Sequence, residues 1–72
     1  MNFKEWLNKN VPQVGGCLLA MDDTIPDEME YYLVERKKDS IGNSFFLVNG
    51  NFHWDMECLF NENWKIVYKK VV

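Results

Sequence analysis

The chain has 72 residues and a net charge of −3, which describes one domain, 1–72, and argues against a dedicated nucleic-acid binder, whose phosphate contacts need a basic surface. The longest uninterrupted apolar run, residues 17–21, is far too short to span a membrane. Three Trp, five Phe and three Tyr exclude a disordered tail and supply the large rings from which so short a chain can gather a core.

Residues 2–10 read as a short helix. Asn2 can cap it, and Glu5 completes a capping-box pattern three residues on. Phe3, Trp6 and Leu7 share one face, and Pro12 with Gly15-Gly16 ends the element. Two turns do not hold alone in water, so this aromatic face must dock on something, with Trp6 as a packing anchor. The opening has no apolar run of the kind an export signal carries, which points to the cytoplasm. In that compartment Cys17 and Cys58 are expected as thiols, packed in the core.

Residues 17–21 are apolar throughout and lie between Gly-Gly and Asp-Asp, the pattern of a strand buried on both faces. An acidic block follows: from Asp22 to Glu35 there are six acids and no base. Residues 28–38 have helical spacing at Met29, Tyr32, Leu33 and Arg36, but strand character at 31–34; we take them as a strand. Residues 39–43 turn the chain and 45–48 return as a strand.

The stretch 44–70 organises the rest. It holds two of the three Trp, four of the five Phe and the only His. Asn49-Gly50 is a hairpin signal, because both residues tolerate positive φ. Phe52, Trp54, Met56, Cys58 and Phe60 then alternate with His53, Asp55, Glu57 and Leu59, as in a strand with one apolar face. The competing reading of 55–60 is a helical turn capped by Asp55. Residues 61–63 form another turn. Trp64, Ile66 and Tyr68 alternate with Lys65, Val67 and Lys69 in the last strand. The expected fold is therefore α+β: a short N-terminal helix packed on a four- to five-stranded antiparallel β-meander, strongly bent or partly closed as in small barrels.

Chemistry is sparse. His53, Asp55 and Glu57 would share one strand face, but two-residue spacing is also that of a solvated polar face, and His53 is expected to face solvent. The acids of 22–30 lack the spacing of a calcium loop. Neither Cys has a base beside it at a helix start, and no glycine-rich phosphate loop is present. The expectation is a non-enzymatic protein with no catalytic residue, metal or cofactor. Two candidate surfaces remain. Asp22, Asp23, Asp27, Glu28, Glu30 and Tyr31 form an acidic, partly aromatic stretch suited to a basic partner protein. Alternatively, Tyr31, Trp54 and Trp64 would stack on a base while Arg36 or Lys65 meets phosphate. Tyr31, Tyr32, Trp54, Trp64 and Tyr68 exceed what so small a core hides, so some lie on the surface and mark an interface, in a homodimer or against a heterologous partner.

The ending, with Trp54, Glu57, Leu59, Asn63, Trp64, Ile66 and Val67, resembles the close of the small phage-encoded Thoeris anti-defence family. The opening Asn2-Phe3-Lys4-Glu5 is similar to that family's start. Asn63 stands where the family carries Asp, and Val14-Gly15-Gly16-Cys17 stands where an Arg/Gly/Trp segment is expected. The resemblance implies a phage or mobile-element protein, and an oligomer that sequesters a cyclic nucleotide signal. The leading expectation, which takes its binding surface from the residues and its phage setting from the resemblance, is a binding protein that inhibits a host defence or nucleic-acid-processing protein by occupying its surface. The alternatives are the sequestering oligomer and a structural or regulatory subunit of an assembly.

Overall fold

A computed structural model describes residues 1–22, 24, 30–70 and 72. Helix α1, Phe3–Asn10, begins as its sequence dictates: Asn2 Oδ1 accepts the Glu5 backbone N–H at 2.8 Å, and Asn2 Nδ2 donates to Glu5 Oε1 at 2.9 Å. It ends where the Val11 N–H reaches the Leu7 carbonyl at 2.8 Å, just before Pro12. Phe3, Leu7 and Val11, each four residues after the last, form its buried stripe. No described helix is long and apolar enough to cross a membrane.

Five antiparallel strands form one open sheet: β1 Cys17–Asp22, β2 Glu30–Lys38, β3 Ser44–Val48, β4 Asn51–Phe52 and β5 Trp64–Lys70, in the spatial order β4-β3-β2-β1-β5. The α+β expectation holds, and the sheet does not close into a barrel. The first four strands meander, whereas β5 returns to the opposite edge and pairs with β1. Residues 30–38 are strand rather than helix; Met29 lies outside the described residues. Asn49 and Gly50 both adopt positive φ, 51° and 81°, giving the tight β3–β4 turn. In the β2–β3 turn, Asp39 Oδ1 accepts the backbone N–H groups of Ile41 and Asn43 at 3.0 and 2.9 Å.

One face of the sheet carries the core. Leu18 and Ala20 of β1, Tyr32 and Val34 of β2, and Phe46 and Val48 of β3 are buried beneath α1. The other face is only partly covered. Cys17, Leu19 and Met21 are half-buried, which corrects the expectation that β1 is enclosed on both sides. Cys17 and the exposed Cys58 are free thiols, and neither belongs to the core.

Beyond Phe52, residues 53–60 are not a strand. Chain order explains why: to reach the far edge beside β1, the backbone must leave β4 after Phe52 and cross. It does so through two 3₁₀ turns, His53–Asp55 and Glu57–Leu59; the second falls within the alternative helical turn, but Met56 precedes it and no side chain caps it, so Asp55 is not its cap. The crossing passes beside the first turn of α1, where Phe60 stacks on Phe3 at 4.8 Å and lies 5.5 Å from Trp6. The simple alternation expected for β5 also fails. Ala20 faces Ile66 while Leu19 faces Tyr68, so Val67 is an extra residue, a β-bulge. Tyr68 thereby moves to the face opposite Trp64 and Ile66.

Candidate functional site

The two acids of the stretch that the structure describes, Asp22 and Glu30, are engaged in hydrogen bonds within the chain. Asp22 ends β1, and its Oδ1 accepts both the backbone N–H and the hydroxyl of Thr24, at 3.0 and 2.5 Å. Asn61 Nδ2 donates to its Oδ2 at 2.9 Å. These bonds, those of Thr24 first, hold its carboxyl below the usual range. Asp22 thus closes a turn and ties it to the approach to β5. Glu30 Oε2 accepts the Tyr32 hydroxyl at 2.5 Å. Burial, then that bond, then the charges of Glu30 and Asp22 push Tyr32 up to about 12. Asp23, Asp27 and Glu28 lie outside the described residues. Tyr31 sits on the uncovered face, facing Met21 across the β1–β2 ladder.

The alternative ligand set does not come together. Trp64 is buried, stacked on Tyr32 at 4.2 Å and 12°. Arg36 is built into the scaffold: Nη1 donates to the carbonyls of Val11 and Pro12, Nη2 to Ser44 Oγ, all at 3.1 Å, and the guanidinium lies 4.9 Å from the Phe46 ring centre. Both belong to the helix-covered side. Tyr31 and Lys65 belong to the opposite face, on either side of Met21. Trp54 stands apart, beyond β4.

His53 does not face solvent as expected. It is half-buried, its ring 6.5 Å from that of Phe3 and 6.0 Å from that of Phe46, and its buried Nδ1 has no hydrogen-bond partner. Burial first, then the nearby Lys4 charge, lowers its pKa, against an opposing pull from Glu57. The unfolded chain therefore takes up this proton more readily than the folded one. Stability is full above pH 6.5 and falls as the pH drops toward the folded pKa. Thermal melts between pH 7.5 and 5 should show that loss in the native chain, and a flatter profile in His53→Phe; equal slopes would refute the assignment. Because 53–55 is a 3₁₀ turn, no His-Asp-Glu row exists, and no cluster of three metal-ligating side chains occurs among the described residues.

Sequence reasoning missed an aromatic ledge at the β3–β4 edge. Phe52 and Trp54 stack at 4.4 Å and 9°, and Phe45 meets Phe52 edge-on at 5.7 Å. With Asp39, Asn43 and Ser44 they line a shallow notch of about 450 Å³. Trp54 is 55% exposed, yet it is braced by Phe52 and by His53, whose ring lies 5.2 Å away. Such a ledge suits an apolar or cationic side chain: flat π-faces beside a carboxylate attract both. The signal lies in the aromatic residues 45, 52 and 54, but a strand reading of 45–48 and of the alternation from Phe52 does not bring the three together. No family model, curated protein or solved structure matches the chain.

Proposed function

We propose that this is a small non-enzymatic binding protein of phage or mobile-element type that inhibits a host protein, a defence or nucleic-acid-processing factor, by occupying its surface. The aromatic ledge carries the reading. Trp54 is exposed yet stacked on Phe52, and Trp and Tyr side chains are the usual anchors of protein interfaces. The net charge of −3 favours a partner with a basic surface. Asp39 sets a carboxylate beside the rings. The described part of the acidic stretch, Asp22 and Glu30, lies at the far end of β2 from the ledge, which adjoins the Lys38 end. It serves as a second, steering contact. The resemblance of the chain's close to the Thoeris anti-defence family supports the phage setting.

The test is capture of a host protein by the tagged chain, followed by affinity measurement on the purified pair. Trp54→Ala should weaken binding about 30-fold, the loss of a ~2 kcal/mol anchor. A folded Trp54→Ala protein with undiminished affinity would remove the ledge from the interface.

A further inference from the structure

The uncovered face of the sheet has an arrangement that points to its occupant. Its central row is Leu33–Leu19–Tyr68, and a neighbouring row is Glu35–Cys17–Lys70. Leu33 is 42% exposed and Tyr68 61%. β1 is apolar at every position from 17 to 21, the pattern of a strand enclosed on both sides, while the described chain encloses only one. The flanks of β1 are opposite in charge: Glu35 stands on the β2 side and Lys70 on the β5 side of the same row.

We propose that this face is a self-association surface that seats a second copy of the chain, related by a two-fold axis running along β1. That axis lays β2 of one copy over β5 of the other. Glu35 then meets the second copy's Lys70, and the contact occurs twice because the interface is isologous. Leu33 meets the second copy's Tyr68, and Leu19 meets its own counterpart. Glu35 already touches Lys37 at 3.7 Å, an exposed pair that adds little and leaves the carboxylate able to take a second cation.

The free edge is the poorer route to the same end. β5 presents Lys65, Lys69 and Lys70 along its length and is broken by the Val67 bulge, both devices that discourage edge-to-edge pairing. Three overlapping strands of about six residues make a footprint of roughly 14 × 20 Å, well below the ~800 Å² per partner of a standard stable interface. The dimer is accordingly weak and concentration-dependent. The β3–β4 ledge overhangs the overlap and stays accessible, so self-association and partner binding fail or succeed separately.

Sedimentation equilibrium of the purified chain tests this without any partner. The wild type should show a reversible monomer–dimer equilibrium. Glu35→Lys and Lys70→Glu should each weaken it about tenfold or more, because like charges then face each other twice. The double reversal should restore it. Cys17 gives an independent readout. Packed sheets lie about 10 Å apart, too far for a direct disulfide but within reach of a bis-maleimide, so a Cys58→Ser chain should crosslink to dimer through Cys17. Should a charge variant fail to fold, by circular dichroism, that crosslink decides. A wild type that stays monomeric at millimolar concentration, a dimer indifferent to both reversals, or no crosslink in Cys58→Ser overturns the proposal.

Discussion

Trp64→Ala is expected to leave the chain largely unfolded at room temperature. Trp64 is the residue on which the small core converges. It stacks on Tyr32 and meets Phe3, Trp6 and Phe60 edge-on at 5.5, 5.8 and 5.4 Å. Removing a buried Trp costs about 3–5 kcal/mol, whereas domains are stable by only 5–15 kcal/mol, the smallest ones least. The loss also uncouples three elements at once, because Trp64 joins α1, the 53–63 crossing and the sheet. Urea denaturation followed by near-ultraviolet circular dichroism would measure it. Trp64→Phe, which keeps an aromatic ring there, should fold with an intermediate midpoint. A Trp64→Ala midpoint equal to that of the wild type would mean that this cluster is not what holds the fold.

Arg36→Met should cost roughly 2–4 kcal/mol, less than the sum of three hydrogen bonds from a charged donor at about 1.5–3 kcal/mol each, because the exposed acceptors on Pro12 and Ser44 are rehydrated. The guanidinium holds the Val11 and Pro12 carbonyls, which end the helix, to Ser44 at the start of β3. The damage should be local before it is global. Amide exchange should rise first at Gly15 and Arg36, whose N–H groups bond the carbonyls of Arg36 and Gly16 at 2.9 and 3.1 Å. Arg36→Lys should rescue little, since a single ammonium cannot span three acceptors in a plane. Unchanged exchange at those two amides in Arg36→Met would contradict this role.

What was legible in the sequence was local. The Asn2–Glu5 cap, the Asn49-Gly50 turn and the strand character of 30–38 depend on neighbours within a few residues, and all three appear as expected. What was illegible depends on residues far away in the chain. The alternation from Phe52 to Phe60 satisfies a strand template, but the far-edge position of β5 forces those residues to cross instead. Val67 looks like any other member of β5 until β1 is laid beside it and the register slips. The candidate site divided along the same line. Trp54 could be expected at the surface because rings outnumber core positions. Arg36 and Trp64 could not be told from ligand-binding residues by type, since a guanidinium serves backbone carbonyls as readily as phosphate, and an indole stacks on Tyr32 as readily as on a base.

The placement of β5 beside β1 has a consequence for the order in which the molecule assembles. β1 sits between a partner that follows it closely in the chain, β2, and one that arrives more than forty positions later, residues 64–70. Ordering the intervening chain must precede the reward of that last pairing, and such distant contacts slow folding. Until β5 returns, the strand that ends up second from the edge is itself the edge, with an apolar side and an unpaired backbone. The lysine-rich strand β5 thus takes over the edge position and covers a side of β1 that would otherwise be an apolar edge.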